Sequence, residues 1–595
     1  MPGPAAAQPA GYAVAITGVE DGGLRRLLDA TSTLEQLKDE PAPGPAGLRR
    51  RTDGDRERLD AALRSEGYYD GRIDITVGQG AGDDTQGPRT RVTIAVTPGP
   101  VTLFRRIGMT TGSGAAAPGW TAPDAAALGL APGTPARGPA VVEAEGRIKD
   151  SLGRAGFAFA KVPERRAAID RADHAMDVDF RIEPGPLVRL GAVHVSGLER
   201  VDEALVRGRV AWTPGERYSP ELIERTRAGL VKLGVFTSAR LQIAETPDAD
   251  GSHAVTVTVT ERKRHYIGLG ASFTNSEGVG GQAYWGHRNL FGGGEQLRVA
   301  AELSRLNPKT LNPDGLDKAD EKLTTELRKP DFLAVDQDLV LATAGINEHP
   351  QAYQREALTA QARLENRIAP HLTLGYGVAG EQSNIRDTQR FTTATLVGTP
   401  LTATWDGTDS PLDPTRGVRV AFESTPWLRI GDTGHSFLVN RLTPSVYHDL
   451  SDDGRLVAAG RLSIGSILNG ATADLPADKR FYAGGGGSVR GYAYQKVGPV
   501  NAAGDPLGGQ ALAEAGAELR IRVTEDLGLV PFIDGGNVYS STLPQPGQTL
   551  RFGTGLGVRY YTGFGPLRLD VGMPLQARRT DEAYQVYLSL GQAFS

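Results

Sequence analysis

The pattern of hydrophobic and polar residues changes once along the chain, near residue 263. Before that point, apolar residues at helical spacing alternate with short strands, and in 220–244 this spacing is carried by Leu222, Leu230 and Val231. After it, the helical period disappears. Segments of about ten residues then alternate apolar with small or polar positions, separated by turns rich in glycine, aspartate and proline. The pattern predicts α+β units followed by an all-β region.

Three predicted helices in the first half each end at a glycine that is followed closely by an aromatic residue. These glycines, Gly67, Gly156 and Gly234, are 89 and 78 residues apart, and glycine tolerates the left-handed conformation that ends a helix. An internal repeat at this spacing indicates one small unit used three times. Each unit is predicted to run strand, helix, helix, strand, strand. The predicted division is a flexible remnant at 1–10 and repeat domains at 11–101, 102–185 and 186–262.

Two stretches rich in alanine, proline and glycine interrupt the first two units, at 35–54 and 110–139. This composition is more typical of a mobile loop than of a packed element. We therefore expect loops at both places, and either loop could alter the docking of a partner on these units.

The second half contains roughly sixteen alternating segments within 263–595. An even number of alternating strands of this length is typical of a transmembrane β-barrel, and closure also removes every sheet edge, unlike a soluble sandwich or propeller. Aromatic residues near the predicted strand ends fit interfacial girdles. They are Tyr284, Trp285, Trp405, Trp427, Tyr447, Tyr539, Tyr560, Tyr561, Tyr584 and Tyr587. The sequence thus predicts α+β repeats followed by a sixteen-stranded antiparallel transmembrane barrel.

Composition narrows the possible functions. The net charge of −5 argues against a nucleic-acid partner, because such partners usually bind a basic domain. The absence of cysteine excludes disulfides and thiolate chemistry; it suits an envelope protein and equally a lineage bias. The nine histidines are scattered, so we expect no metal site, no cofactor and no enzyme activity.

No signal peptide or transmembrane helix is readable, so either the protein is cytosolic or its signal has been removed.

A long connection separates the predicted strands that end near Leu468 and begin near Ala511. It carries "FYAGGGGSVRGY", whose aromatic and apolar residues argue against disorder, and connections of this length are usually functional. A phosphate-binding loop would require a lysine in the P-loop pattern and a following helix, and neither is present. The glycines therefore predict a loop that fits a confined space.

Several motifs together resemble the BamA/TamA superfamily of outer-membrane assembly factors. "SVRGY" (488–492) is similar to its V-R-G-F/Y motif, and "PFIDGG" (531–536) to its F-x-D-x-G motif. "DGTDSPLDPTRG" (406–417) resembles a mid-barrel hairpin and "GAELR" (516–520) an E-L-R strand. The N-terminal units resemble POTRA domains. Three such units resemble the TamA-like subgroup, whereas BamA relatives usually carry five, and two-partner secretion transporters two with an extra N-terminal helix.

The resemblance implies that the connection 469–510 folds inward into the barrel. Arg490 would then meet Glu518 and Asp534 on the lumen wall, where a planar guanidinium suits two carboxylates and a confined charge needs a partner. The residues of this lumen-loop motif are Gly484, Gly485, Gly486, Gly487, Val489, Arg490, Gly491 and Tyr492.

The resemblance also implies a lateral gate between the first and last barrel strands. The gate residues are predicted to be Ile267, Gly268, Leu269, Gly270, Leu588, Leu590 and Phe594. Gly268 and Gly270 fall on the inward face. They either soften the seam, because glycine weakens a strand, or they leave packing room for the loop.

The function implied by the resemblance is assembly rather than catalysis. The chain would lie in the outer membrane of a Gram-negative bacterium with its POTRA-like domains in the periplasm. It would insert or export client outer-membrane proteins such as autotransporters, with a TamB-like inner-membrane partner docked on the POTRA-like domains, and it would also aid phospholipid transport. The alternatives are a general BamA-type assembly factor and a two-partner secretion pore. A passive porin would not need the periplasmic repeats.

Overall fold

The computed structural model describes residues 12–40, 44–79, 90–112, 117–306, 319–431, 435–545, 547–563 and 565–590. The predicted N-terminal remnant at 1–10 and Phe594 lie outside these ranges. Among the described residues, no helix combines the length and the apolar character needed to cross a membrane.

The first α+β unit packs three helices on a three-stranded sheet. Its elements are β1 (Ala13–Thr17), α1 (Gly22–Thr31), α2 (Thr33–Gln36), α3 (Gly44–Ser65), β2 (Arg72–Gln79) and β3 (Thr90–Thr97). The strand order is β1-β3-β2, with β1 parallel and β2 antiparallel to β3. Leu28, Leu59 and Leu63 of the helices are buried against Val92 and Ile94 of the central strand.

Helix α3 corrects the prediction of a loop at 35–54, because the helix begins at Gly44. Leu48 lies in the hydrophobic core, so the first turns of α3 bury apolar surface. The alanine- and proline-rich composition did not indicate this burial. Asp55 is also buried, and its carboxylate accepts hydrogen bonds from the Ser32 hydroxyl (2.6 Å) and the amides of Thr33 and Leu34 (both 2.9 Å). These bonds tie the start of α2 to α3.

The second α+β unit contains β4 (Leu103–Thr111), α4 (Gly138–Arg154), β5 (Lys161–Asp170) and β6 (Ala175–Glu183), in the order β4-β6-β5. The predicted first helix is wrong here, since the described residues 117–137 form turns. These turns are not a loose loop either: Leu128 and Leu130 are fully buried in the core, and the Trp120 indole donates to the Ser151 hydroxyl at 2.9 Å. Gly129 and Gly133, both at positive φ, end the local helical turns.

The third α+β unit has the predicted element order. It contains β7 (Leu190–Ser196), α5 (Glu203–Gly208), α6 (Pro220–Lys232), β8 (Phe236–Ile243) and β9 (His253–Glu261), with sheet order β7-β9-β8. The chain divides into two compact units, and the division passes through this region, since Val195–Arg209 and Gly229–Ala239 group with the barrel. The predicted domain boundaries stay predictions.

The remainder of the chain forms a closed antiparallel barrel. Its strands are β10 (His265–Thr274), β11 (Gly278–His287), β12 (Gln296–Leu306), β13 (Asp320–Lys329), β14 (Gln337–Glu348), β15 (Tyr353–Ala369), β16 (Leu372–Asp387), β17 (Phe391–Gly398), β18 (Leu401–Asp406), β19 (Gly417–Ile430), β20 (Ser436–Asp449), β21 (Leu456–Leu468), β22 (Ala511–Arg522), β23 (Leu527–Tyr539), β24 (Arg551–Thr562), β25 (Gly565–Pro574) and β26 (Gln585–Leu590).

Seventeen strand segments fill sixteen positions in this barrel. Both β17 and β18 pair with β16 on one side and β19 on the other, so together they form one position that is interrupted at Thr399 and Pro400. Proline has no amide hydrogen and cannot complete a ladder, which explains the break. The predicted sixteen-stranded antiparallel barrel is therefore confirmed.

Alternation along each strand separates an apolar outer wall from a polar lumen. In β25, Leu567, Leu569 and Val571 are exposed outside, whereas Arg568 and Asp570 are buried inside.

The prediction of aromatic girdles is correct only in part. Trp405 and Tyr560 are exposed on the outer wall, but Tyr447, Tyr539 and Tyr587 are buried. The Tyr587 hydroxyl contacts the inward-folded connection, whereas the Tyr447 ring lies under the Arg520 guanidinium at 5.2 Å.

Candidate functional site

The connection between β21 and β22 is packed inside the barrel. It includes a short 3-10 helix, Ala477–Lys479, and then the glycine-rich motif. Val489 and Tyr492 of the motif are buried together with Leu512 and Val538 of the barrel strands. The structure thus places the loop motif against β22 and β23.

Three motif glycines have backbone conformations that other residues rarely adopt. Gly484, Gly485 and Gly491 lie at φ values of 108°, 100° and 96°. Space is also limiting: a Cβ atom on Gly491 would lie 2.7 Å from the backbone of Met573, and one on Gly486 would lie 3.0 Å from the Tyr587 ring. The glycines therefore allow the tight course of the loop along the lumen wall.

Arg490 is the centre of a buried ion cluster, with a side chain only 2% exposed. Its Nε and Nη2 donate to both carboxylate oxygens of Asp534 at 2.7 and 3.0 Å, and its Nη1 donates to Glu518 at 2.7 Å. The guanidinium lies 3.6 Å from the centre of the Phe532 ring. This is a bidentate pair with a cation–π contact, which fixes the orientation of the guanidinium plane.

A third carboxylate, Asp570 on β25, was not identified from the sequence. It accepts from Arg490 Nη1 at 3.0 Å, and it also pairs with Arg559 (2.5 Å) and Arg568 (2.6 Å). Since Arg520 pairs with Glu518 at 3.1 Å, the cluster contains four guanidinium groups and three carboxylates. Alternation in "PLRLDVG" places Asp570 and Arg568 on one face, and that pattern could have indicated the site.

The last described strand holds the same loop. The Tyr587 hydroxyl donates to the carbonyl of Tyr492 at 3.0 Å and accepts from the amide of Gly491 at 3.1 Å. Tyr587 was predicted only as an interfacial aromatic. Its position links the residues beside Arg490 directly to β26, one of the two strands of the predicted gate.

A second ion cluster anchors the beginning of the loop on the opposite part of the wall. Arg355 of β15 pairs with Asp478 at 3.3 Å and with Glu381 of β16 at 2.9 Å. Lys479 pairs with Glu381 at 2.6 Å, and Arg480 pairs with Asp387 at 3.2 Å. The connection is therefore held at two separated places on the barrel wall. The sequence motifs indicated only the first of them.

The seam between β10 and β26 closes the barrel. Among the residues that the structure describes, the pairs at this seam are Phe273↔Leu588 and Thr274↔Tyr587. The Asn275 side chain extends the closure, since its Oδ1 accepts from the amide of Val586 at 2.9 Å.

Six of the seven predicted gate residues belong to β10 or β26, and the seventh, Phe594, lies outside the described residues; their role in a gate stays a prediction. Ile267 and Leu269 are 76% and 80% exposed on the outer wall, and Leu588 and Leu590 are exposed on the facing strand. Gly268 lies against Tyr284 rather than against the loop, and a Cβ atom there would lie 2.0 Å from the tyrosine ring. Gly270 lies opposite Gln282.

In the part of the chain that the structure describes, no group of three or more histidine, aspartate or glutamate side chains could hold a metal ion. The ion clusters in the lumen consist of paired arginine, lysine and carboxylate groups, which is an arrangement that fixes a loop in place.

Comparison with known proteins gives the family. The family model for the Omp85 superfamily domain matches residues 289–594, and a POTRA model, described as a surface antigen variable number repeat, matches residues 188–262. The chain is 24% identical over 466 residues to the outer membrane protein assembly factor BamA of Nitratidesulfovibrio vulgaris (75% of this chain, 56% of the relative). It is 22% identical over 510 residues to BamA of Neisseria meningitidis (76% and 62%).

The fold agrees with these matches. The crystal structure of BamA from Haemophilus ducreyi lacking POTRA domains 1–3 aligns with a TM-score of 0.62 at 17% identity, covering 76% of this chain and 94% of that chain. The alignments to the two BamA sequences span 56% and 62% of their lengths. The predicted location is confirmed: the chain belongs to the Omp85 superfamily and is an outer-membrane β-barrel protein with a periplasmic POTRA domain.

Proposed function

We propose that this protein is an outer-membrane assembly and translocation factor whose lateral gate lies between β10 and β26. The observation that carries the proposal is the closure of the barrel at Phe273↔Leu588 and Thr274↔Tyr587, where two strands that are far apart in the chain meet without a hairpin between them. Backbone groups exposed by opening this seam would be costly inside a bilayer. A client strand that adds to the opened edge would supply their hydrogen-bond partners.

The ion cluster around Arg490 has a positioning role in this proposal. Three carboxylates hold Arg490 on the wall formed by β22, β23 and β25, while Tyr587 ties the adjacent backbone to β26. When a client separates β26 from β10, the same hydrogen bonds keep β26 attached to the loop. The loop would therefore support the opened strand instead of blocking it.

The TamA-like reading is the more specific part of the proposal. It is supported by three α+β sheets before the barrel, β1-β3-β2, β4-β6-β5 and β7-β9-β8. On this reading, the clients are autotransporter-like proteins, a TamB-like inner-membrane protein docks on the POTRA-like domains, and the protein also aids phospholipid transport. No catalytic step is involved.

A general BamA-type assembly role is the second candidate, because two relatives are named as BamA. Depletion of the protein in its host, followed by quantification of outer-membrane proteins and lipids, separates the two. Loss of a few autotransporters or a lipid imbalance, with most barrels intact, supports the TamA-like role. General loss of barrel proteins supports the BamA-type role. Loss of a single secreted adhesin contradicts both and indicates a dedicated secretion pore.

The gate itself is tested by locking it. Phe273 and Leu588 are directly paired, so their Cα atoms lie about 4.5–5.5 Å apart, within the range of about 4.4–6.8 Å that a disulfide spans. No native cysteine interferes. Oxidation of this double variant is expected to stop client assembly, and reduction to restore it.

The matched control is a cysteine pair at Leu556 and Val571, which face each other across β24 and β25. Both pairs staple neighbouring strands on the outer wall, but only one staples the proposed gate. Equal activity of both oxidised variants would contradict the gate. Equal inactivity would show that the disulfide harms the barrel generally, and the gate would then lose its support from this test.

A further inference from the structure

The periplasmic turn between β13 and β14 carries an exposed apolar tip. The chain enters β10 from the periplasmic side, and successive antiparallel strands alternate in direction. The fourth strand, β13, therefore ends on the periplasmic side, and β14 begins there. In this turn Phe332, Leu333 and Val335 are 40%, 73% and 54% exposed. The neighbouring turn between β11 and β12 adds Phe291, which is 73% exposed. Clustered exposed side chains of this size mark an interaction surface.

The β13–β14 turn is held rigidly at its base. Asp331 and Asp336 both have positive φ, 50° and 64°, a turn conformation that aspartate tolerates better than most residues with a side chain. Arg209 donates to both oxygens of Asp331 at 2.6 Å and to Asp336 at 3.0 Å. Lys232 also pairs with Asp336 at 2.6 Å. The amide of Phe332 donates to the carbonyl of Gln337 at 2.8 Å. These contacts fix the conformation in which the turn presents its apolar side chains.

The β11–β12 turn is fixed to the same place. Glu295 pairs with Lys329 at the end of β13 at 2.5 Å, and its other carboxylate oxygen accepts from the amide of Phe291 at 3.3 Å. The two apolar tips are therefore presented together by a single ion-paired base.

The lipid bilayer is the occupant that fits these tips. They continue the exposed apolar wall of the same two strands, where Leu323 of β13 and Leu341 of β14 face outward. That wall is the lipid-facing band of a transmembrane barrel. Two other periplasmic turns combine a single exposed apolar residue with acidic residues at their tips. The β20–β21 turn carries Leu450 with Asp452 and Asp453, and the β22–β23 turn carries Val523 with Glu525 and Asp526.

We propose that Phe291, Phe332, Leu333 and Val335 form a membrane wedge that inserts into the periplasmic leaflet of the outer membrane beside β11–β14. Aromatic and aliphatic side chains of this kind insert at the boundary between headgroups and acyl chains. The ion-paired base then holds that side of the barrel at a fixed depth. The periplasmic turn at Glu525 stays in water.

The experiment uses the full chain and the absence of native cysteine. Single cysteines replace Leu333, Phe291 or Glu525, all exposed positions, and carry a nitrobenzoxadiazole fluorophore. Each variant is placed in nanodiscs of phosphatidylcholine and phosphatidylethanolamine, which leave both faces open to solution. Quenching is measured with acyl-chain doxyl lipids and with iodide, after circular dichroism shows unchanged β-structure.

The labels at Leu333→Cys and Phe291→Cys are expected to show blue-shifted emission and several-fold stronger doxyl quenching than the label at Glu525→Cys, with weaker iodide quenching. If all three labels respond alike, the wedge is disproved. Protection of the Leu333→Cys label only after addition of a client or partner protein would also overturn it, because a protein and not the bilayer would then cover the turn. An Arg209→Ala background should weaken doxyl quenching at Leu333→Cys while leaving the Glu525→Cys label unchanged.

Discussion

The hydroxyl of Tyr587 on the last described strand donates a hydrogen bond to the backbone carbonyl of Tyr492, at 3.0 Å, within the loop that crosses the lumen. The same hydroxyl accepts from the amide of Gly491. One side chain thus satisfies two backbone groups beside Arg490. The state of the seam and the position of the loop are physically connected through this residue.

Replacement of Tyr587 by phenylalanine tests this connection. The variant leaves a buried carbonyl and a buried amide without a partner, so we expect the free energy of unfolding to fall by about 1–3 kcal/mol. Tyr560→Phe, at an exposed position on the outer wall of β24, is the matched control and should change stability little. Thermal unfolding in detergent, followed by the heat-dependent gel shift of folded barrels, measures both. A loss of equal size in the two variants would show that the hydroxyl bridge contributes nothing specific.

Replacement of Arg490 by lysine tests the geometry of the ion cluster. Lysine keeps the charge but loses the planar fork that meets both oxygens of Asp534 and also Glu518. Breaking a buried pair of this type costs about 3–5 kcal/mol, and we expect a substantial part of that loss in the unfolding free energy of Arg490→Lys.

The control for that substitution is Arg419→Lys, since Arg419 is about half exposed and pairs with Asp406 at the longer distance of 3.6 Å. Exposed pairs contribute about 0–1 kcal/mol. If the two variants lost equal stability, the fork at Arg490 would be irrelevant and only its charge would matter.

The sequence predicted the barrel and two of the three acid partners, but by different routes. The period of two along the strands is a physical consequence of the pleat, so strand type and strand number were accessible. The contacts of Arg490 with Glu518 and Asp534 came from motif resemblance. Asp570 was missed although alternation in β25 places it with Arg568 on the polar face, because alternation does not show which of the lumen-facing acids the loop reaches.

Other errors arose where composition was given more weight than periodicity. The helix from Gly44 was hidden by alanine, proline and glycine, although Leu48 and Asp55 lie on one buried face. Tyr587 was placed in a girdle because it is aromatic. Leu588 and Leu590 are exposed on the outer face of the same strand, and this alternation alone would have turned Tyr587 inward.

Stability should depend on pH through Glu261, which lies in β9 outside the barrel. Burial raises the pKa of this carboxyl, but hydrogen bonds from the amides of Arg200, Glu199 and Val201, all at 2.9 Å, outweigh it, so the pKa lies below the ordinary value of 4.5. An acid with a depressed folded-state pKa stabilises the fold above its unfolded pKa. This stabilisation is therefore present above about pH 4.5 and is lost as the pH falls through the depressed pKa.

The difference in melting temperature between wild type and Glu261→Gln should accordingly be largest near neutral pH and shrink as the pH is lowered from 5 toward 3. Glu245→Gln, at an exposed position in the same region, is the control for the substitution itself and should change the melting temperature little. A difference for Glu261→Gln that stayed constant over this range would show that the three amides do not depress the pKa.

The role of Gly268 at the seam can be decided by combining a substitution at Gly268 with one at Tyr284. A Cβ atom on Gly268 would lie 2.0 Å from the ring of Tyr284, which in turn stacks 4.3 Å from the guanidinium of Arg298. If the glycine is present to make room for the ring, Gly268→Ala destabilises by about 1–3 kcal/mol in the wild type. In a Tyr284→Ala background the same change should be neutral or stabilising, with client assembly equal to that of Tyr284→Ala alone.

If the glycine instead keeps the gate strand weak, Gly268→Ala lowers client assembly in both backgrounds, because alanine stiffens β10 whether or not the ring is there. Unfolding and assembly measured on the four variants therefore separate the two roles. The contact with Tyr284 leads us to expect the first result. In that case, weakening of β10 by glycine is not the reason that the seam opens.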